Sequence, residues 1–335
     1  MLNKFSLDPT TFSASSAGPE LASEVSSKAD LLVAILLCTY NGERFLAEQL
    51  NSLGAQTYQN WVLIVSDDGS KDATLDILLQ YQAKWPQGKM MIRNGPQKNF
   101  CQNFLSLACD SEIKADYYAF CDQDDVWLPE KLTVALQTIA ANQNINVPFI
   151  YCGRTTYVTE QLKPCGSSPL FVFPPSFRNA LVQSIAGGNT MVFNLAAKLL
   201  IEKAGTVNVP SHDWWLYQLI SGADGYVFYD PVPYLLYRQH KGALVGGNSS
   251  LSAKIERVVM LLQGRFQDWN TQNIAALKEV KHLIAKNQQD ILNFFEILRG
   301  ASVKDRFRLI EICGLYRQTR RGTFSLFLAA LFKKI

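Results

Sequence analysis

Three continuous apolar segments constrain the fold of this chain most strongly. Residues 31–38, 61–66 and 117–121 are apolar at nearly every position, and each runs directly into polar residues. A strand of this kind is buried on both faces, as in a parallel sheet covered by helices. Helical patterns separate the segments, which indicates right-handed β-α-β crossovers. The sequence therefore predicts an α/β fold with a mostly parallel central sheet flanked by helices.

The spacing of apolar residues predicts the helices between these strands. Leu46, Leu50 and Leu53 share one face of the first helix, and Pro129 suits the first turn of another. Two further short strands are expected at 90–93 and 190–193. The expected helices cover 43–56, 72–85, 103–109, 129–142 and 196–204, and another begins near residue 213.

Composition divides the chain of 335 residues into three parts. Residues 1–30 are rich in Ser and Ala and are predicted to be a disordered extension. Residues 31–247 carry the α/β pattern. Residues 248–335 are predicted to be a basic, helical C-terminal module, because positions 254–335 hold 15 Lys and Arg against 7 Asp and Glu. The rest of the chain is net acidic, so the two parts are expected to face different partners.

The sequence also indicates a compartment. No apolar run approaches the roughly 20 residues that a membrane-spanning helix needs. The seven cysteines include no close pair, which favours reduced thiols over a disulfide framework or a zinc site. We therefore expect a cytoplasmic protein.

Polar side chains follow three of the predicted strands, at the edge where ligands bind in open α/β sheets. These groups are residues 39–42, 67–70 and 122–125. None has the glycine spacing of a dinucleotide-binding turn or of a phosphate-binding loop that ends in Gly-Lys-Ser/Thr. Hydride transfer and simple phosphoryl transfer by enzymes with those motifs are therefore disfavoured.

Residues 122–125 read Asp-Gln-Asp-Asp. Carboxylates gathered at one strand end repel each other unless a cation is present, and oxygen ligands suit Mg²⁺ or Mn²⁺ that bridge to phosphates. A metal-diphosphate site is one interpretation, and a set of solvated loop acids or helix caps is the other. Residues 67–70 likewise either cap the following helix or place a carboxylate against a nucleobase.

Residues 212–215 read His-Asp-Trp-Trp, an acid flanked by aromatic side chains. Adjacent tryptophans are often core residues. A carboxylate in that apolar setting is also suited to act as a general base, because such surroundings tune its pKa. Both interpretations stand on the sequence alone.

These groups occur in an order that resembles the family 2 glycosyltransferases of the GT-A fold. Three of the shared motifs, D-Q-D-D-V-W, H-D-W-W and Y-R-Q-H, are together most similar to the bacterial rhamnosyltransferase branch. The resemblance covers about residues 31–247 and implies that they form a GT-A nucleotide-sugar-binding domain. The full order is C-T-Y-N-G-E-R-F-L, S-D-D-G-S-K-D-A-T, C-D-Q-D-D-V-W-L-P-E-K-L, G-N-T-M-V-F-N, H-D-W-W and Y-R-Q-H.

The resemblance implies a role for each matching residue. Asp213 is expected to be the catalytic base. Asp124, with Asp122 and Asp125 beside it, is expected to hold Mg²⁺ or Mn²⁺. His212, Trp214 and Trp215 are expected on the acceptor side. The residues implied in nucleotide and donor binding are Cys38, Tyr40, Glu43, Asp68, Asp122, Arg238, Gln239 and His240.

The implied function is an inverting, metal-dependent glycosyltransferase of bacterial surface polysaccharide assembly, such as O-antigen or capsule. The favoured donor is TDP-β-L-rhamnose, and the acceptor is an oligosaccharide or a lipid-linked saccharide. Alternatives are the same chemistry with a UDP-hexose or UDP-N-acetylhexosamine donor, and a non-catalytic sugar-nucleotide-binding protein of the same fold. A divalent-cation-binding interaction module is a further alternative.

The basic C-terminal part has two interpretations of its own. A basic amphipathic segment with aromatic residues suits an anionic membrane surface, which would make the protein peripheral on the inner face of the cytoplasmic membrane. Alternatively, its apolar face packs on the rest of the protein or in a homodimer. No nucleic acid is expected as a partner, because no recognition motif accompanies the basic residues.

Overall fold

The apolar segments form the centre of a seven-stranded sheet. The computed structural model describes residues 31–142, 146–185, 187–240 and 265–335. In it, the sheet has the order β10-β6-β9-β4-β1-β2-β3, and β9 alone runs antiparallel to its neighbours. The strands of this sheet are β1 Val33–Thr39, β2 Trp61–Asp67, β3 Met90–Asn94, β4 Tyr117–Cys121, β6 Phe149–Gly153, β9 Val192–Asn194 and β10 Tyr226–Asp230.

A smaller sheet of four strands has the order β5-β11-β7-β8. None of the four strands was expected from the sequence, because each is only two to four residues long and too short to show a periodic pattern. They are β5 Val126–Trp127, β7 Thr156–Val158, β8 Pro164–Ser167 and β11 Leu235–Arg238.

Helices flank the sheet and follow it at the C-terminal end. Where the sequence predicted individual helices, their bounds agree to within a few residues. The short helix at Phe177–Ala180 was not predicted, and the C-terminal part was predicted only to be helical. The helices are α1 Leu46–Gly54, α2 Thr74–Lys84, α3 Phe100–Ala108, α4 Lys131–Ala141, α5 Phe177–Ala180, α6 Leu195–Ala204, α7 His212–Gly222, α8 Arg265–Glu279, α9 Lys286–Gly300, α10 Val303–Cys313 and α11 Arg320–Leu331.

Two boundaries differ from the sequence prediction for local reasons. Helix α3 begins at Phe100, three residues early, because the Asn99 side chain accepts a hydrogen bond from the backbone N–H of Gln102 at 2.9 Å and caps it. Strand β9 begins at Val192, two residues late, because Gly188–Thr190 form a turn of 3₁₀ helix.

The core confirms the predicted α/β class. All seven residues of β1 are buried, as the continuous apolar run requires. Each fully buried Leu or Ile of this kind contributes roughly 1.5–3 kcal/mol to the free energy of unfolding. All seven cysteines are free thiols, as predicted.

The C-terminal helices share this core. Ile274, Leu277, Phe295 and Leu298 are at most 5% exposed and belong to the same apolar cluster as the sheet strand residue Phe193. Core packing therefore accounts for the inner faces of α8 and α9. Contacts group Leu32–Ile335 into one compact unit. Within the described segments, no helix is both long enough and apolar enough to cross a membrane.

Some predictions fall outside the described residues. These are the disordered extension at 1–30, the boundary of the C-terminal module at 248, and the beginning of its helical part before residue 265. The division of the chain into domains stays a prediction.

Candidate active site

The polar ends of β1, β2 and β4 meet at one edge of the sheet. The parallel register sets Thr39 of β1 opposite Asp67 of β2, and Leu37 opposite Cys121 of β4. The Thr39 hydroxyl donates to Asp67 Oδ1 at 2.7 Å. The three loops predicted to carry the chemistry therefore begin side by side.

Two adjacent aspartates after β2 have different surroundings. Asp67 is 4% exposed, and its carboxylate accepts hydrogen bonds from Thr39, Ser70 and backbone N–H groups, so it organises the loop. Asp68 is partly exposed, and its Oδ1 accepts from the backbone N–H of Gln97 at 2.6 Å. Its Oδ2 has no hydrogen-bond partner in the described part of the chain. Asp68 is therefore the member of the pair that can accept a bond from a ligand.

The loop after β1 is tied to the loop after β2. The side chain of Asn41, at a φ of 48°, accepts from the backbone N–H of Lys71 at 2.9 Å. Glu43 Oε2 accepts from the backbone N–H of Ala73 at 2.9 Å, at the N-terminus of α2. Glu43 therefore caps the N-terminus of α2 and ties the loop after β1 to it. Tyr40 is 56% exposed beside it.

Cys38 lies near the end of β1, close to acidic side chains that follow β2 and β4. Burial raises the pKa of its thiol, and Asp122 and Asp68 raise it further, which places both carboxylates near the sulfur. The structure therefore brings Cys38, Asp68 and Asp122 together, as the resemblance implied.

Gln123 is a site residue that the sequence analysis missed. Its Oε1 accepts from the backbone N–H of Tyr40 at 2.9 Å, and its Nε2 donates to the Tyr40 carbonyl at 3.0 Å. A Cβ on Gly42 would lie 2.3 Å from Gln123 Oε1, so this close approach needs glycine. Two features of the sequence could have indicated this contact: the Asn-Gly pair after β1, and the Gln between the aspartates at 122–125.

Residues 122–125, which we call the acidic group, contain three aspartates with different surroundings. Burial, then Asp124 and Asp213, raise the pKa of Asp122 to about 8. Asp124 Oδ2 lies 2.8 Å from His240 Nε2. Asp125 is fully buried, and its carboxylate accepts from the Asn189 side chain and from the backbone N–H of Arg238 at 3.2 Å. Asp125 therefore faces the protein interior, away from the position expected of a metal ligand.

Asp122 and Asp124 suit a divalent cation. The neighbouring negative charges raise the pKa of Asp122, and a cation between the two carboxylates would relieve that repulsion. Mg²⁺ is commonly held by one or two carboxylates together with substrate phosphates and water. Among the described residues no cluster of three or more His, Cys, Asp or Glu forms a complete ligand set. Asp122 and Asp124 could therefore supply the protein ligands of such a metal.

Arg238 has a structural role in the described contacts. Its guanidinium is buried, donates to the Asp124 carbonyl at 2.9 Å and to the Glu160 carbonyl, and pairs with Glu48. It also lies 4.4 Å from the ring centroid of Phe45. These contacts use the guanidinium to fix the backbone of the acidic group. Gln239 and His240 come directly after β11, and their side chains are partly exposed.

Asp213 is the first-turn acid of α7. Its Oδ1 accepts from the backbone N–H of Trp214 at 2.6 Å and from the Ser211 hydroxyl, and its Oδ2 accepts from the backbone N–H of Gly188 at 3.2 Å. Burial raises its pKa to about 6, and backbone hydrogen bonds oppose that rise. Asp213 also acts electrostatically on Asp122, so the structure brings the expected base to the acidic group.

The aromatic neighbours of Asp213 lie in the interior. Trp215 is fully buried in the core cluster, which places it away from any acceptor. Trp214 is 6% exposed and donates from Nε1 to the Ala180 carbonyl at 2.6 Å. His212 stacks on Phe104 at 4.0 Å between ring centroids, and burial lowers its pKa to about 3. All three side chains next to Asp213 are therefore used in packing within the protein.

The sequence of this chain is similar to those of known glycosyltransferases. The model of the family described as "Glycosyl transferase family 2" matches residues 34–194. A dTDP-rhamnosyl transferase of Shigella flexneri, RfbG, is 30% identical over 246 residues, which are 66% of this chain and 78% of that protein. The Escherichia coli protein named UDP-Glc:alpha-D-GlcNAc-diphosphoundecaprenol beta-1,3-glucosyltransferase WfgD is 29% identical over 130 residues, 36% of this chain and 45% of that protein.

A similar solved structure is that of S. aureus TarS 1-349 in complex with UDP-GlcNAc. It has a TM-score of 0.49 and 18% identity over 70% of this chain and 66% of that chain. The mostly parallel sheet and its flanking helices have the α/β architecture that the family resemblance implied. The chain belongs to glycosyl transferase family 2 and is a glycosyltransferase.

Proposed function

We propose that this glycosyltransferase moves L-rhamnose from TDP-β-L-rhamnose to a saccharide acceptor, with inversion, in the assembly of a bacterial surface polysaccharide. The observation that carries the reaction type is the position of Asp213. It lies at the start of α7, beside the acidic group at the end of β4, and has a pKa of about 6. A general base whose pKa lies close to neutral pH is therefore next to the residues proposed to hold the diphosphate, as a single displacement requires.

Asp213 performs the proton transfer in the proposed mechanism. At neutral pH its carboxylate is ionised, and it accepts the proton of an acceptor hydroxyl. The oxygen forms a bond to the anomeric carbon of the donor while the bond from that carbon to the diphosphate oxygen breaks. The electron pair of the broken bond leaves with the nucleoside diphosphate. Attack from the opposite face inverts the anomeric centre, so a β-linked donor gives an α-linkage.

Asp122 and Asp124 are proposed to hold Mg²⁺ or Mn²⁺. When bound, the metal neutralises charge on the diphosphate. The His240 ring contacts Asp124 and fixes the direction of that carboxylate. Asp125 and Arg238 are proposed to position the acidic group from the interior, since both are buried and bonded to its backbone or neighbours.

The nucleotide is proposed to bind beside the end of β1. Asp68 has an available oxygen for the nucleobase, and the exposed ring of Tyr40 can stack on it. Cys38 lines the pocket between them, and Glu43 supports the loop. Gln239 and His240 complete the donor side near the diphosphate.

The choice of rhamnose is supported by the relative from Shigella flexneri, which is named a dTDP-rhamnosyl transferase. A UDP-hexose or UDP-N-acetylhexosamine donor is the second candidate, and the relative named as a UDP-Glc glucosyltransferase favours it. That relative is also named for a diphosphoundecaprenol-linked acceptor. We propose a lipid-linked saccharide acceptor and a location on the inner face of the cytoplasmic membrane.

A thermal-shift panel tests the donor. TDP-, UDP- and GDP-sugars are added with Mn²⁺, and the melting temperature rises for ligands that bind the native state. The proposal expects the largest rise with TDP-rhamnose, and a UDP-specific rise would favour the second candidate. No rise with any nucleotide sugar would contradict the enzymatic proposal. Transfer of labelled rhamnose to a saccharide-diphosphate-lipid separates catalysis from binding alone.

A further inference from the structure

Helix α11 presents two apolar faces. Leu326, Ala329 and Ala330 are at most 2% exposed and pack on the protein. Phe324, Leu328 and Leu331 lie on the opposite side of the helix at positions i, i+4 and i+7, and are 65%, 40% and 41% exposed. The inner face accounts for the stability of the helix in the fold. The outer face is not needed for packing and remains to be explained.

Cations flank this outer face. Arg320 and Arg321 are exposed in the first turn, on the same side as Phe324. Lys333 and Lys334 follow the helix, next to Phe332, which is 60% exposed. Helix α11 contains no Asp or Glu. An exposed apolar stripe with basic residues at both ends is the pattern of a helix that lies in a membrane interface.

An apolar cavity adjoins the first turn of α11. Its volume is about 630 Å³. The loop on its other side carries exposed apolar side chains of its own, including Val172 at 70% and Phe173 at 40%. The cavity is lined by Phe173, Pro174, Ser176, Tyr316, Arg320 and Thr323.

The loop that borders this cavity is fixed to the protein. Gln318 is 1% exposed, its Oε1 accepts from the backbone N–H of Phe173 at 2.9 Å, and its Nε2 donates to the Phe173 carbonyl at 2.9 Å. The two bonds hold the loop beside α11. Arg320 lines the cavity and is also exposed at the start of α11, so the loop at 172–174, the cavity and the outer face of the helix adjoin one another. We call this region the lipid-facing surface.

We propose that the lipid-facing surface docks on a bilayer that carries anionic headgroups. Arg320 and Arg321 contact the headgroup phosphates, and Phe324, Leu328 and Leu331 enter the boundary between headgroups and acyl chains. The cavity accepts one lipid chain beside Arg320. The charge of the surface favours a membrane over a second copy of the chain, because both ends of the apolar stripe are basic and two copies would bring like charges together in either orientation.

This inference deepens the proposed function, since it names the surface that meets the membrane in which a lipid-linked acceptor resides. Membrane binding itself needs neither donor nor turnover. Failure of docking and failure of the proposed chemistry are therefore measured separately.

Vesicle flotation of the full chain tests the proposal. The wild type is expected to float with vesicles of phosphatidylglycerol and phosphatidylcholine and to stay behind with phosphatidylcholine alone. The R320Q/R321Q variant removes two cations, and its affinity for the anionic vesicles is expected to fall about 30-fold. High salt should weaken wild-type binding in the same direction.

A pair of double variants tests the apolar stripe. F324S/L328S is expected to lose most vesicle binding. The matched control L75S/L79S alters two exposed leucines at the same spacing on α2 and should bind as the wild type does. All variants should keep their nucleotide-dependent rise in melting temperature, which reports the donor site and intact folding.

Three results would overturn the proposal. One is a wild type that ignores anionic vesicles. Another is an equal loss of binding in L75S/L79S. The third is a wild-type dimer that F324S/L328S converts to monomer while vesicle binding persists, because the stripe would then be an interface between two copies.

Discussion

The backbone N–H of Gly188 donates to Asp213 Oδ2 at 3.2 Å, and this bond joins the turn before β9 to the proposed base. The next residue in the turn, Asn189, donates through its side chain to Asp125. One turn of three residues therefore links the interior of the acidic group to the base. A Cβ on Gly188 would lie 2.2 Å from His212 Nε2, so the turn can approach α7 only with glycine there.

Substitution of Asn189 by Ala is expected to lower kcat about 10- to 100-fold, because a small displacement of Gly188 moves the base from its working position. KM for the donor should change little, since the Asn189 side chain is buried and bonded to the interior Asp125. The acid limb of the pH-rate profile should also shift, as the Gly188 bond helps set the pKa of Asp213. A loss of activity that only follows a lower melting temperature, with the profile unmoved, would contradict this role.

Asp213→Asn is expected to lower turnover by about 10²–10⁴-fold, because the amide cannot accept the proton of the acceptor hydroxyl. Calorimetric affinity for TDP with Mn²⁺ should stay near the wild-type value. Asp76→Asn, which alters an exposed acid on α2, is the matched control and should retain full activity. Turnover of Asp213→Asn close to that of the control would exclude Asp213 as the base.

The pKa of about 6 at Asp213 predicts the acid limb of activity. Below pH 6 the carboxylate becomes protonated, so kcat should fall about tenfold for each further pH unit. Burial raises this pKa above its ordinary value of 3.8, so the folded state binds the proton more tightly than the unfolded chain does. Protonation of Asp213 itself therefore does not destabilise the fold as pH falls through 6. Initial rates and melting temperatures over one pH series should show activity falling first.

The sequence predicted the elements that carry strong local signals. The continuous apolar runs gave β1, β2 and β4 to within two residues, because burial on both faces leaves no polar position inside the strand. The sequence also predicted that the polar residues after those strands lie together, because parallel strands bring their carboxyl ends to one edge of the sheet. The short strands of the smaller sheet lacked such a signal.

The roles of Arg238 and Asp125 depend on contacts that no local pattern encodes. Arg238 pairs with Glu48, which lies 190 residues away in sequence, and Asp125 is bonded by Asn189, 64 residues away. The motif Y-R-Q-H suggested a donor contact for the arginine, and the acidic group suggested a metal contact for the third aspartate. Tertiary packing turns both side chains to the interior. Trp215 was ambiguous for the same reason, because an aromatic residue near an acid suits either a core or an acceptor site.

Arg238→Lys is expected to reduce the free energy of unfolding by about 2–4 kcal/mol, since lysine cannot reach Glu48 and two backbone carbonyls at once. Arg44→Lys is the control. Arg44 pairs with Glu160, but its side chain is 62% exposed, so its replacement should cost less than about 1 kcal/mol. Urea denaturation compares the two variants. Equal stability of both, with a selective loss of donor affinity in Arg238→Lys, would instead support direct contact with the diphosphate.

Asp124→Ala and Asp125→Asn should separate the metal-binding acids from the interior one. Calorimetry with and without Mn²⁺ measures how much the metal strengthens TDP binding. In Asp124→Ala, the factor by which Mn²⁺ strengthens TDP binding is expected to fall by more than about tenfold, because the variant lacks one of the two proposed carboxylate ligands. Asp125→Asn should keep the increase, since the Asp125 side chain is fully buried and already bonded to Asn189 and Arg238. If Asp125→Asn abolished the Mn²⁺ effect while its melting temperature stayed at the wild-type value, Asp125 would be a ligand and the assignment of this acidic group would have to change.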